Sequence, residues 1–130
     1  MAYKIVLDAG HGGTDPGAVY KERCEKDDAL QLTLAVGKIL EENGIDVVYT
    51  RTADIYQTPF EKAKAANDAK ADYFISFHRN SSPDDNQYQG VEVLLYDKKG
   101  IESKKMRGAD PEGGIYGDQR YHCRYGYRHV

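Results

Sequence analysis

Short apolar segments alternate with helix-like segments over residues 1–97, and this alternation constrains the fold more than any other feature of the sequence. The strand-like runs are Tyr3–Asp8, Asp46–Arg51, Asp72–His78 and Gly90–Tyr96, and the helix-like runs are Asp27–Asn43 and residues 58–69. The order strand, helix, strand, helix, strand favours right-handed crossovers between neighbouring parallel strands. We therefore predict an α/β fold, with a mostly parallel sheet and helices on both of its faces.

Both predicted helices carry terminal signals. The first has leucines at helical spacing and ends at Asn43-Gly44, a sequence typical of a left-handed C-terminal cap. The second begins with Thr58-Pro59-Phe60-Glu61, which combines a cap residue, a proline at the first helical position and the glutamate of a capping box. These signals predict where the first helix ends and where the second begins.

The alternation of strands and helices stops near residue 100. The last thirty residues are rich in glycine and tyrosine, and apolar residues do not recur there at helical or strand spacing. We therefore divide the chain into a folded domain, residues 1–100, and a divergent tail, residues 101–130, that we expect to be poorly ordered. The alternative is a short irregular segment that packs on the sheet edge through its tyrosines.

Composition and charge restrict the classes of partner. The net charge is −3 and no basic stripe is present, so we expect no nucleic-acid partner. No apolar run approaches the ~20 residues of a membrane span. The first eight residues reach an acid at Asp8 and lack the apolar core of a signal peptide, so we expect synthesis in the cytoplasm and export by another route. The oligomeric state is left open.

Two histidines lie at the carboxyl ends of predicted strands. His11 lies in a glycine-rich turn directly after the first strand, and His78 is the last residue of the third predicted strand. Sites in open α/β sheets form beyond the carboxyl ends of parallel strands, which would bring these two imidazoles together. Each histidine alone is more often structural, but the pair predicts a metal site.

A catalytic zinc site with two histidines needs a third ligand, and a carboxylate is a standard choice. Four acids precede or begin the first helix: Glu22, Glu25, Asp27 and Asp28. Asp27 and Asp28 are also explained by the preference of acids for the positive end of a helix. The residues alone do not select among the four.

Other chemistries fit the sequence poorly. The glycine-rich turn lacks the GK[ST] ending of a phosphate-binding loop and does not match GxGxxG. The GxSxG motif of serine hydrolases is missing. Cys24 lies beside acids, among them Glu25, and neighbouring acids disfavour a nucleophilic thiolate.

The motifs together resemble the amidase-3 family of zinc-dependent N-acetylmuramoyl-L-alanine amidases. The matching segments are LDAGHGGTDPGA, Glu25-Lys26-Asp27, VVYTR, Ala66-Asn67, ADYFISFHRNSS and GVEV, within residues 3–97. The resemblance implies a phosphorylase/hydrolase-like α/β fold, Zn²⁺ as cofactor, and His11, Glu25 and His78 as its ligands. It also implies peptidoglycan as substrate, cut at the amide that joins N-acetylmuramic acid to L-alanine, and a lysin-like or secreted enzyme that acts on the bacterial cell wall.

The sequence departs from the family pattern in two ways. Lys62 stands where the family often has arginine, and Arg79 where a small residue or asparagine is common. The family also continues with a helix and a strand that ends in a general-base glutamate followed by Gly-Phe. Neither Glu92 nor Glu112 matches that glutamate, so no catalytic base is identified.

We therefore expect a C-terminally incomplete, shortened or frame-altered domain with impaired hydrolysis. The alternative is a remnant that binds zinc or peptidoglycan without cutting it. A different zinc hydrolase, such as a deacetylase, is disfavoured because the family order of the ligands is His, Glu, His.

Overall fold

The computed structural model describes residues 3–79 and residue 81, and the backbone alone of 91–94 and 122–125. Its strands are β1 (Lys4–Ala9), β2 (Val19–Tyr20), β3 (Arg23–Cys24), β4 (Asp46–Tyr49), β5 (Tyr73–His78), β6 (Val91–Leu94) and β7 (His122–Tyr125). Its helices are α1 (Glu25–Glu42) and α2 (Pro59–Asp68). The four strands and two helices predicted over residues 1–97 are confirmed as β1, α1, β4, α2, β5 and β6, with ends that differ by at most two residues. The short strands β2 and β3 were not predicted. No described helix has the length and apolarity needed to cross a bilayer.

The main sheet has the strand order β4-β1-β5-β7-β6, and it is mostly parallel as predicted. Strand β1 pairs in parallel with β4 on one side and with β5 on the other. Strand β7 pairs in parallel with β5 and antiparallel with β6. The small β2–β3 hairpin stands apart from this sheet.

The two faces of β1 meet different helices. Ile5 and Leu7 point to one face, where they form a core with Phe77 that includes Leu32 and other apolar residues of α1. Side chains alternate along a strand, so Asp8 points to the other face. There it pairs with Lys62 of α2. The prediction of helices on both faces is confirmed by these contacts.

Strand β7 lies within residues 101–130, the segment that the sequence predicts to be a poorly ordered tail. Its sequence, His-Cys-Arg-Tyr, has no apolar alternation, and four residues are too few for a periodic signal. Its strand conformation follows from backbone pairing with β5 and β6, which no local pattern encodes. The rest of the predicted poorly ordered tail, 101–121 and 126–130, lies outside the described residues.

The predicted capping box of α2 is present. The Thr58 hydroxyl accepts a hydrogen bond from the Glu61 amide, and the Glu61 carboxylate accepts one from the Thr58 amide. We expect Thr58→Ala to lower the free energy of unfolding by about 1 kcal/mol, because the Glu61 amide loses its partner and the Glu61 carboxylate loses the bond from the Thr58 hydroxyl. Urea unfolding measures this change. Thr52→Ala, at an exposed threonine before the helix, is the control, and equal losses in both variants would contradict the prediction.

Candidate metal centre

His11 lies in a tight turn that follows β1. The Gly12 and Asp15 backbones exchange two hydrogen bonds of 2.9 and 3.0 Å, which close the turn. His11 itself has a φ of 61°, in the left-handed region that few non-glycine residues adopt. This backbone conformation directs the imidazole toward the end of β5.

His78 ends β5, and the parallel register of β1 and β5 places it beside His11. Ala9 lies opposite Phe77, so the residues that follow meet at the same edge of the sheet. The two imidazole rings have centroids 4.9 Å apart and are nearly perpendicular. Gly10 permits this approach, because a Cβ there would lie 2.5 Å from the His78 ring.

Glu25 is the first residue of α1, and its side chain is buried against both histidines. Its Oε2 accepts a hydrogen bond from the Ala18 amide at 2.8 Å, and its Oε1 accepts one from the Arg79 amide at 2.8 Å. Gly17 has a φ of 65°, and a Cβ there would lie 2.7 Å from Glu25 Oε2. The carboxylate is therefore held by backbone groups from two separate loops.

Three potential ligand atoms converge at this point. His11 Nε2 lies 3.0 Å from Glu25 Oε1 and 3.2 Å from His78 Nδ1, and His78 Nδ1 lies 3.1 Å from Glu25 Oε1. In a tetrahedral zinc site with bonds of about 2.0–2.1 Å, neighbouring ligand atoms are about 3.3 Å apart. The three side chains therefore fit a small divalent ion in both donor type and spacing.

Hydrogen bonds set the protonation of this cluster. Burial raises the pKa of Glu25, but hydrogen bonds from His11, His78 and the Ala18 and Arg79 amides outweigh burial and hold that pKa far below its usual value. The bond to Glu25, more than that to Asp15, raises the pKa of His11 against the opposing effect of burial. His11 Nδ1 lies 2.8 Å from Asp15 Oδ2, so Nδ1–H donates to that carboxylate and Nε2 faces the cluster.

The structure brings together only one of the four candidate acids with the two histidines. Among the described residues, the one group that could hold a metal ion is His11, Glu25 and His78. Glu22 and Asp27 are exposed, and Asp28 instead pairs with two arginines.

Sequence reasoning missed a buried ion pair beneath the cluster. The Asp8 carboxylate lies 2.9 Å from Lys62 Nζ and accepts hydrogen bonds from the Thr50 and Ser76 hydroxyls. Lys62 also donates to the Ala9 carbonyl at 3.0 Å. These bonds tie β1, β4, β5 and α2 together at the edge that carries the histidines. The sequence signal for this ion pair is Asp8 itself, an acid at the end of an apolar run.

A cavity of about 520 Å³ opens beside the cluster. His11 and His78 form one end of it. The rest of the lining includes residues from α2 and the segment before it, among them Tyr56, Lys62 and Ala66. This volume lies in the usual range of small-ligand sites, so the cavity can admit part of a substrate next to the ligand atoms.

We expect Lys62→Met to lower the free energy of unfolding by about 3–5 kcal/mol, because the buried Asp8 carboxylate loses its counter-ion. The Asp8 and Lys62 side chains are only 4% and 11% exposed. Lys64→Met is the matched control, since Lys64 lies on the same helix and pairs with Asp68 in solvent. Urea unfolding of both variants checks the prediction, which equal losses would contradict.

Asp8 also predicts a loss of stability in acid. Burial raises the pKa of Asp8, but the Lys62 ammonium and the Ser76 and Thr50 hydroxyls outweigh burial and hold that pKa below its usual value. Its stabilising contribution is therefore complete above the unfolded-state pKa of about 3.9 and is lost as pH falls toward the lower folded-state value. Urea unfolding between pH 6 and 3 should show a smaller decline in Asp8→Asn. Parallel declines in both proteins would be the contrary result.

Comparison with known proteins identifies the family. The family model of the N-acetylmuramoyl-L-alanine amidases called Amidase_3 matches residues 5–110. The sporulation-specific N-acetylmuramoyl-L-alanine amidase of Bacillus subtilis is 44% identical over 80 residues, which are 60% of this chain and 31% of that protein. The endolysin of Bacillus phage SPP1 is 38% identical over 104 residues, 79% of this chain and 37% of that protein. The chain thus spans about a third of the length of these relatives.

Solved structures agree with this assignment. The catalytic domain of CwlV, an N-acetylmuramoyl-L-alanine amidase from Bacillus (Paenibacillus) polymyxa var. colistinus, superposes with a TM-score of 0.82 at 27% identity, over 95% of this chain and 79% of that one. An N-acetylmuramoyl-L-alanine amidase from Clostridium difficile 630 superposes with a TM-score of 0.73 at 35% identity, over 81% of this chain and 58% of that one. With the family model covering most of its residues, the chain belongs to the Amidase_3 family of N-acetylmuramoyl-L-alanine amidases.

Proposed function

We propose that this chain hydrolyses the amide bond between N-acetylmuramic acid and L-alanine in peptidoglycan, with Zn²⁺ held by His11, Glu25 and His78. The observation that carries the proposal is the triangle of two imidazole nitrogens and one carboxylate oxygen, with sides of 3.0–3.2 Å. Two histidines and one carboxylate leave a tetrahedral ion with an open position, as catalytic zinc sites require.

The chain's own residues support this chemistry by holding the ligand atoms in place. Asp15 keeps the proton of His11 on Nδ1, which leaves Nε2 as a donor to the ion. The Ala18 and Arg79 amides orient the two oxygens of Glu25. A bound zinc ion supplies Lewis acidity, which polarises the scissile carbonyl and acidifies water. The adjacent cavity is the place where the substrate amide would approach this ion.

We propose that hydrolysis by residues 1–130 is weak, because none of their glutamates matches the general base that the resemblance implies. Residues 1–100 provide all three proposed ligands, whereas the divergent residues 101–130 lack the expected glutamate followed by Gly-Phe. Strand β7 runs parallel to β5 beside His78, and its sequence, His-Cys-Arg-Tyr, has no carboxylate. This observation supports the second candidate function, a remnant that binds zinc or peptidoglycan without cutting it.

The names of the relatives support the cell wall as the place of action. One is a phage endolysin and another a sporulation-specific amidase. We propose that this chain likewise acts on bacterial peptidoglycan, either as a lysin-like product or after secretion by another route.

Product analysis tests the proposal. The zinc-loaded chain is incubated with purified peptidoglycan, and new L-alanine amino termini are quantified with and without a chelator. We expect slow release that stops with the chelator and in His11→Ala. Release that persists in both cases would refute the proposed metal site, whereas release of acetate would identify a deacetylase. Sedimentation with the same peptidoglycan, in the absence of release, would identify the binding module.

A further inference from the structure

Arg79 is a buried arginine next to the proposed metal ligand His78. The residue is 4% exposed, although arginine is almost never fully buried unless it is paired. It directly follows β5, at the sheet edge where the three ligand atoms converge. Its buried guanidinium therefore needs partners inside the protein.

The Arg79 guanidinium contacts three residues around the start of α1. Nη1 lies 2.7 Å from Asp28 Oδ2 in the first turn of the helix. Nη2 donates to the Ala18 carbonyl at 2.6 Å and, more weakly, to the Arg23 carbonyl at 3.4 Å. Ala18 precedes the β2–β3 hairpin and Arg23 lies in its second strand, so one side chain fastens the hairpin and the helix start to the end of β5.

Arg79 and Ala18 also hold the Glu25 carboxylate through their backbone amides. The Arg79 amide donates to Glu25 Oε1, and the Ala18 amide donates to Glu25 Oε2. The guanidinium fixes Ala18 relative to Arg79 through the Ala18 carbonyl. Both amides that orient the carboxylate are therefore linked by one buried side chain.

We infer that Arg79 is a positioning residue for the metal centre, which holds Glu25 in the orientation that binds the ion. This inference rests on the proposed function of the His11, Glu25 and His78 cluster. Lysine cannot replace the arginine fully, because an ammonium is a point charge whereas the planar guanidinium reaches a carboxylate and a carbonyl with separate nitrogens.

Metal affinity in Arg79 variants tests the inference. Zinc dissociation constants are measured by competition with a chromophoric chelator for the wild-type chain, Arg79→Met, Arg79→Lys and Arg23→Met. Arg23 is a matched control, because its exposed side chain pairs with the same Asp28 carboxylate, whereas the hydrogen bond to the Ala18 carbonyl comes from Arg79. We expect binding to weaken by about 10–100-fold in Arg79→Met and less in Arg79→Lys, since loss of outer hydrogen bonds has effects of this size. Arg23→Met should bind as the wild type does.

Thermal unfolding of the metal-free proteins separates positioning from stability alone. A structural role lowers the unfolding temperature and leaves the zinc affinity of the folded protein unchanged, and that result for Arg79→Met would overturn the inference. If Arg79→Met does not fold, Asp28→Asn decides, because it keeps Arg79 and removes both ion pairs of Asp28, whereas Arg23→Met removes only the pair with Arg23. Weaker zinc binding in Asp28→Asn than in Arg23→Met would support the inference, and equal binding would overturn it. A wild-type chain that binds no zinc would instead refute the proposed metal centre.

Discussion

Replacing His78 with alanine is expected to weaken zinc binding by more than about a hundredfold. Loss of an outer hydrogen bond to a metal ligand already costs about 10–100-fold in affinity, and this substitution removes a ligand itself. Only His11 Nε2 and Glu25 Oε1 would remain of the triangle. Competition with a chromophoric chelator gives the dissociation constant, and metal analysis after dialysis gives the stoichiometry.

Tyr56→Ala is the control for the His78 substitution. Tyr56 contributes an aromatic ring to the same cavity but does not belong to the ligand cluster, and it is 52% exposed. Its removal enlarges the cavity and should leave zinc affinity unchanged within about twofold. Zinc affinity that survives in His78→Ala would mean that the ion is bound elsewhere, and the proposed centre would be wrong.

Hydrolysis of peptidoglycan by the zinc-loaded chain is expected to be about 10²–10⁴-fold slower than by the CwlV catalytic domain assayed beside it. General acid–base catalysis contributes a factor of this size, equivalent to roughly 3–5 kcal/mol of activation free energy. The resemblance assigns the role of general base to a glutamate that has no match in this sequence. The proposed zinc ligands are all present. Initial rates of L-alanine amino-terminus release, at equal zinc occupancy, measure the difference.

Equal zinc occupancy is essential to that comparison, because a chain that has lost its metal is also slow. Metal analysis of both proteins before the assay excludes this cause. A rate within tenfold of CwlV that disappears in His11→Ala would show that another group accepts the proton, and the expected impairment would be wrong.

The meeting of His11 and His78 could be predicted from local patterns. Apolar runs before each histidine predict strands, and the helix between strands predicts parallel pairing. The carboxyl ends of such strands share one edge of the sheet, and the structure pairs β1 with β5 at that edge.

The choice of Glu25 needed more than the residues themselves. Four acids lay close together in the sequence, and only the resemblance selected one of them. In the structure, α1 begins at Glu25, so this carboxylate turns inward to the Ala18 and Arg79 amides. Asp27, two positions later, is exposed. A shift of a few residues in a helix start changes which side chain faces the site, and helix starts are read from sequence only approximately.

The sequence by itself determined the α/β architecture, the capped start of α2 and the two strand ends that carry histidines, because each depends on periodicity or on contacts between near neighbours. Only the tertiary structure decided the position of β7, the burial of Asp8 with Lys62 and the contacts of Arg79 with Ala18 and Asp28. Those features join residues that are far apart in the chain. A polar side chain has the same local sequence whether it faces solvent or a buried partner, so its role is settled when the strands and helices pack.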